Sequence, residues 1–229
     1  MDQINKRKRV IVFDVNETLL DIETLNPFFE HIFGDARVMR QWFAELIIYS
    51  QAMTLSGSYT PFGQLAVAVL KMVAQIRGVT LQAASVDTFK DHMGRLPAHD
   101  DAAPALEMLR DAGFRMMTLT NSAPDAGNAV LEKAGLARYF EKQFSVDAVK
   151  RFKPAAETYQ SVASALDTDA NSLRLVAAHT WDTQGATAAG WKAALVSRPG
   201  NAALPVGDQP DIIEQDLLAV AKLIISIDV

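Results

Sequence analysis

The sequence predicts an α/β fold: a Rossmann-like parallel sheet core with an inserted helical cap. Three observations predict it. Short, continuous apolar runs recur at RVIVF (9–13), FRMMTLT (114–120), LRLVAAH (173–179) and KAALVSR (192–198), the pattern of strands buried on both faces. The later runs follow helix-like segments that carry glycine near their ends, at Gly113 and Gly190, so strand and helix alternate as a parallel sheet requires. Residues 22–97 break that rhythm with consecutive helical patterns and no strand between them.

In chain order, RVIVF opens the sheet. PFFEHIF (27–33), ARVMRQWFAELIIYSQAMTL (36–55), PFGQLAVAVLKMVAQIRG (61–78) and TLQAASVDTFKDHMGRL (80–96) then read as the helices of the cap. The core resumes with the helical APALEMLRDAG (103–113) before the second strand, AETYQSVASALDTD (156–169) before the third and DTQGATAAGW (182–191) before the fourth. The expected division is a core of residues 1–20 and 98–229 and a cap of residues 21–97. The cap is expected to sit over the C-terminal edge of the sheet, where α/β proteins place their ligands.

Composition narrows the function. The chain has 229 residues, 49% of them hydrophobic and 21% charged, with a net charge of -5. This is an ordinary globular balance with enough length for a core. The one basic run, NKRKR (5–9), reads as a solvated tail, and nucleic acid is not an expected partner. The absence of cysteine excludes disulfides, thiolate metal sites and a cysteine nucleophile. No signal-peptide pattern and no apolar run of membrane-spanning length is visible, so the expected location is the cytoplasm and no membrane partner is expected.

Polar residues stand where the strands end. Asp14-Val15-Asn16-Glu17-Thr18 follows the first strand, Thr120-Asn121-Ser122 the second, and His179-Thr180-Trp181-Asp182 the third, while Lys153 precedes a helix that carries Tyr159. Strand ends of an open α/β sheet converge on one crevice. An acid, a hydroxyl–amide pair, a lysine and a second acid gathered there form a candidate active site. Singly, each has a plainer reading: Asp14 or Asp182 as a helix cap, Thr120 and Asn121 as turn residues, Lys153 as a surface lysine.

In this order, D-x-x-x-T, T-N, K-P and a late acid resemble the haloacid dehalogenase superfamily. FDVNETLLD, TLTNSAP, SVDAVKRFKPAAETY and AAHTWDTQGA are similar to stretches of its type II 2-haloacid dehalogenases, and the resemblance spans essentially the whole chain. It implies hydrolysis of a short 2-haloalkanoic acid to a 2-hydroxy acid, with no cofactor or metal, by a homodimer. Asp14 would attack the halogen-bearing carbon and form an ester, which water then cleaves. Lys153 would keep Asp14 ionised, and Asp182 would fix Lys153 and help position the water. Thr18 and Thr120 would hydrogen-bond the Asp14 carboxylate or the substrate. Backbone N–H groups of Val15, Asn16 and Asn121 would hold the substrate carboxylate.

Asn16 stands where the superfamily's phosphatases carry a second, acidic aspartate. An asparagine does not protonate a leaving alkoxide, whereas a halide leaves without a proton. AHTWD likewise offers one acid where those phosphatases hold magnesium with two. Two departures from the type II pattern bear on the chemistry. Those enzymes have an arginine directly after the cap tryptophan, but Trp42 is followed by Phe43; Arg40, one turn away on the same face, is the candidate replacement. The second is His179, with Ala177 and Ala178 before it, where the family commonly has serines and an asparagine. His179 is the only histidine near the motifs, since His31, His92 and His99 fall in the cap or its hinge. It is the candidate to orient or deprotonate the hydrolytic water. Trp42, Tyr59, Phe62 and Trp181 are candidates for an apolar wall around a small substrate, and their alternative role is core packing; Tyr159 is a further candidate to bind the substrate. A magnesium-dependent phosphatase or other hydrolase of the same fold, and a binding protein that has lost turnover, remain the competing readings.

Overall fold

The computed structural model describes residues 8–228. Its centre is a six-stranded, wholly parallel sheet of β1 (Val10–Phe13), β2 (Met116–Thr120), β3 (Lys142–Ser145), β4 (Leu173–Ala177), β5 (Lys192–Val196) and β6 (Ile212–Glu214), in the order β3-β2-β1-β4-β5-β6. All residues of β1, β2 and β4 are buried, as their unbroken apolar runs require. The central strand β1 pairs on one side with β2 and on the other with β4, Phe13 facing Thr118 and Val176. The connections run in opposite directions from that strand, so the crevice for a ligand opens at its carboxyl end, where Asp14 begins.

The helices α5 (Ala102–Asp111), α6 (Pro124–Lys133), α7 (Ala156–Ala165), α8 (Thr180–Ala188) and α9 (Leu217–Ile227) belong to the sheet-bearing part. The four foreseen strands are present, trimmed by one to two residues. The sheet extends one strand further at each edge, through β3 and β6. β3 is short and has no buried residue, and β6 has three residues, so neither carries the apolar signature of a central strand. One charge sits inside the sheet: Arg174 of β4 is fully buried and is answered by Asp228 at 2.5 Å and Asp211 at 2.6 Å. Arg9 also pairs with Asp228, and Lys8 lies over the Phe114 ring, so the end of the basic run packs on the core. Residues 5–7 of that run lie outside the described residues.

Between β1 and α5 come four helices, α1 (Asn26–Phe33), α2 (Val38–Ser56), α3 (Phe62–Ile76) and α4 (Ala83–Met93). They share an aromatic centre in which the Trp42 ring lies 5.1 Å from Phe89 and 5.5 Å from Phe29, with its Nε1 donating to Ala66 O at 3.0 Å. Trp42 therefore packs the cap rather than walling a substrate, since a fully buried indole with its one donor satisfied has nothing left to offer a ligand. The chain leaves the core and returns side by side: Asp21 N donates to Pro97 O at 2.8 Å and His99 N to Leu19 O at 2.9 Å. Among the described residues no helix is long and apolar enough to cross a membrane.

Candidate active site

Asp14, 5% exposed, ends the central strand. A buried carboxylate is costly unless paired, and three groups meet this one. Lys153 Nζ donates to Oδ1 at 2.8 Å, Thr18 Oγ1 donates to Oδ2 at 2.7 Å, and His179 Nδ1 lies 3.5 Å from Oδ2. Thr18 in turn accepts from Ala178 N at 2.8 Å, which locks the loop after β1 to the end of β4. Arg198 adds a second tie, donating to Thr18 O at 2.9 Å.

Lys153 spends all three of its ammonium hydrogens, on Asp14, on Asp182 Oδ2 at 2.5 Å and on Leu119 O at 3.1 Å. Its backbone N–H donates to Asn121 Oδ1 at 3.1 Å, so Asn121 positions the lysine. Tyr159 donates to Asp182 Oδ1 at 2.6 Å. Tyr159 thereby supports Asp182 from behind and does not line the cavity. Close packing at this point explains Gly185: a Cβ there would lie 2.5 Å from Pro154 Cβ and 2.6 Å from the Tyr159 hydroxyl.

Glu17, which the sequence did not single out, completes the site. It is 2% exposed, has a left-handed backbone (φ 68°), and its Oε2 meets His179 Nε2 at 2.7 Å. Its other oxygen pairs with Arg40, and its carbonyl meets His99 Nε2 at 3.0 Å. Asp182, Lys153, Asp14, His179, Glu17 and Arg40 thus form a row of alternating charge, three anions and three cations, running from core to cap.

The row sets the protonation states. Burial raises the Asp14 carboxyl, but Lys153 and His179 outweigh it and hold Asp14 well below the usual carboxylate range. Burial opposes charge on Lys153, yet Asp14 and Asp182 push its pKa up. Burial raises Asp182 more than Lys153 lowers it. His179 loses to burial and gains more from Asp14 and Glu17, which push it up to about 9. In the resting site it is therefore an imidazolium.

A cavity of about 10 Å³ touches Asp14 and is lined also by Asn16, Phe43, Ile47, Phe62, Thr120, Asn121, His179 and Trp181. It has room for about one water. Of the four aromatic candidates for a substrate wall, Phe62 and Trp181 line this cavity. Phe43 and Ile47 join them, one helical turn apart on α2, a spacing that marks a shared face. Among the described residues no protein acceptor takes the N–H groups of Val15 or Asn16 beside Asp14. His179 is stacked on Trp181, with centroids 4.9 Å apart, and has Phe43 5.5 Å away. Its Nδ1 is buried with no hydrogen-bond partner.

Besides Trp42 and Tyr159, two further residues expected at the wall or pocket lie elsewhere. Arg40 turns to Glu17, Glu23 and Pro199 O, because the acids on the loop after β1 and the following turn outcompete an apolar pocket for a guanidinium. Tyr59 stacks on Phe152 at 5.0 Å and donates to Asp147 at 2.7 Å, away from the cavity. Among the residues that line the cavity, the cation is His179. Among the described residues no cluster of three or more His, Cys, Asp or Glu side chains is arranged to hold a metal.

Comparison with known proteins places the whole chain. The family model described as haloacid dehalogenase-like hydrolase matches residues 8–190. The chain is 28% identical over 215 residues to a (S)-2-haloacid dehalogenase of Pseudomonas sp. (strain YL), covering 93% of each chain. It is 25% identical to the haloacetate dehalogenase H-2 of Moraxella sp. (strain B), covering 96% of this chain and 99% of that one. A crystal structure of an L-2-haloacid dehalogenase superimposes with a TM-score of 0.90 at 25% identity, over 95% of this chain and 98% of the other. Matched by that family model over residues 8–190, most of its length, the chain belongs to the haloacid dehalogenase-like hydrolase family.

Proposed function

We propose that this protein hydrolyses the carbon–halogen bond of a short 2-haloalkanoic acid, giving halide and a 2-hydroxy acid through an ester on Asp14. The observation that carries this reading is an ionised carboxylate held by an ammonium group against a small cavity, in a chain whose relatives are 2-haloacid dehalogenases. The substrate carboxylate would rest on the N–H groups of Val15, Asn16 and Asn121. An Asp14 oxygen attacks the substrate carbon opposite the halogen; the new carbon–oxygen bond forms as the halide leaves with the bonding pair. Holding the two centres in line supplies on the order of 7 kcal/mol. Asn16 suits this chemistry, since no proton is needed by the halide.

Ester formation removes the negative charge of Asp14, one of the two anions that hold His179 protonated. Its pKa falls, the imidazolium gives one proton to solvent, and the Glu17-anchored neutral imidazole becomes a base facing the ester. Nδ1 takes a proton from water as the water oxygen adds to the Asp14 carboxyl carbon and returns it to the departing 2-hydroxy oxygen; the second water proton, left on the new Asp14 carboxyl, passes to His179 and restores the resting ion pair. Lys153 stabilises the regenerated carboxylate, and Asp182 with Tyr159 holds Lys153.

The same reading takes residues 21–97 as the cap and 1–20 with 98–229 as the core, which the paired crossing at Leu19–Asp21 and Pro97–His99 supports. It also takes the protein as a homodimer joined through α2, whose Ile48 and Leu55 are 56% and 89% exposed. Sedimentation is expected to give twice the chain mass for the native protein, and half of that for Leu55→Arg.

The direct test is halide release from chloro-, bromo- and fluoroacetate and both 2-chloropropanoate enantiomers, with and without chelator. Release undiminished by chelator is expected. Turnover of phosphate esters with magnesium, and none of haloacids, would replace this reading by the phosphatase one.

A further inference from the structure

A second opening, about 620 Å³ in volume, lies between the cap helices α3 and α4 and the core helix α6. Its floor is buried and apolar, with Phe62, Phe89 and Val130; Val67, Met93 and Ala126 form its sides. Clefts at such domain junctions are where small apolar ligands settle. The exposed Lys90 and Lys133 stand at its edge and favour the approach of an anion.

Two residues, Asn16 and Phe62, line both this cleft and the catalytic cavity. The two spaces therefore share a border, and Phe62, 4% exposed, stands on it with Asn16. Phe62 is the first residue of α3 and its neighbour Gly63 is exposed with open space around it, so this part of the border stands at an element end. The volumes of the two spaces differ greatly, about 10 and about 620 Å³. The smaller space, with room for about one water, has none for an alkyl chain.

We propose that the cleft is the chain-binding subsite of the enzyme: it receives the alkyl tail of a medium-chain 2-haloalkanoate whose carboxylate and reacting carbon lie at Asp14, with Phe62 as the gate between them. The proposal rests on the dehalogenase reading and extends its substrates from short to medium-chain 2-haloalkanoates. Each methylene laid on this floor is removed from water and gains about 0.8 kcal/mol, a few-fold in kcat/KM.

The test compares bromide release from racemic 2-bromohexanoate and from bromoacetate by the whole protein. Wild type is expected to turn over both. Ala126→Phe, an exposed helix position whose new ring fills the cleft, is expected to lower the ratio of kcat/KM for 2-bromohexanoate to that for bromoacetate about tenfold, the worth of roughly two buried methylenes. Phe62→Ala is expected to raise that ratio by opening the gate. A ratio unmoved by Ala126→Phe, or turnover of bromoacetate with none of 2-bromohexanoate, overturns the subsite. Absence of bromide release from bromoacetate as well removes the dehalogenase reading and the subsite with it.

Discussion

Replacing Asp14 by asparagine is expected to abolish halide release, lowering kcat by about four orders of magnitude or more, because the amide is not a nucleophile toward carbon. The substitution keeps the shape of the side chain and leaves Lys153 paired with Asp182, so the variant is expected to fold. The wild-type protein offers a matching positive result. In a single turnover in heavy-oxygen water, the label is expected in the Asp14 carboxylate and not in the hydroxyl of the product, because water attacks the carboxyl carbon of the ester. Label in the product hydroxyl would mean that water attacks the substrate directly, and Asp14 would then be only a base or a positioning group.

The second large effect is expected at His179. His179→Ala is expected to form the ester and fail to release it: one halide per site in a burst, a mass increase on the peptide carrying Asp14, and a steady-state rate lower by roughly a hundredfold or more. Ordinary turnover by this variant would end the assignment of His179 as the base. The pH profile gives an independent reading. In the free protein His179 titrates near 9, held there by both Asp14 and Glu17. With Asp14 esterified only Glu17 remains, so kcat is expected to rise with pH on a limb whose apparent pKa lies below 9, and that limb is expected to vanish in the alanine variant. Stability follows the opposite course. A histidine whose pKa is raised on folding, from 6.5 to about 9, contributes stability that is whole below 6.5 and is lost as the pH climbs through 9. Asp14, whose pKa is depressed, contributes stability that is present above 3.8 and lost as the pH falls below it.

The central strands were legible because burial on both faces leaves a continuous apolar run, and the cap helices because helical patterns continued with no strand among them. β3 was not, since KQFS at an edge needs no apolar pattern, and β6 is three residues long. In the site, Asp14, Thr18, Thr120, Asn121, Lys153 and Asp182 could be gathered from sequence because parallel strands bring their carboxyl ends together. Glu17 could not: its partner His179 is 162 positions away, and nothing local says that an acid in a turn is buried. The aromatic residues divide for a similar reason. Trp42 and Phe43 are adjacent on one helix, yet one packs the cap and the other faces the cavity, a difference of about 100° of rotation that composition alone does not reveal. Arg40 was placed on the correct side of α2 and given the wrong partner, because acids at positions 17 and 23 reach it first.

The left-handed backbone of Glu17 bears on any effort to harden the protein against heat. A non-glycine residue in that conformation stores on the order of 1 kcal/mol, so Glu17→Gly would look attractive on backbone grounds. That exchange would also strip His179 of its anchoring acid and leave Arg40 without one of its two carboxylates. Thermal resilience and turnover pull against each other at this single position, and engineering for robustness is better directed to the surface.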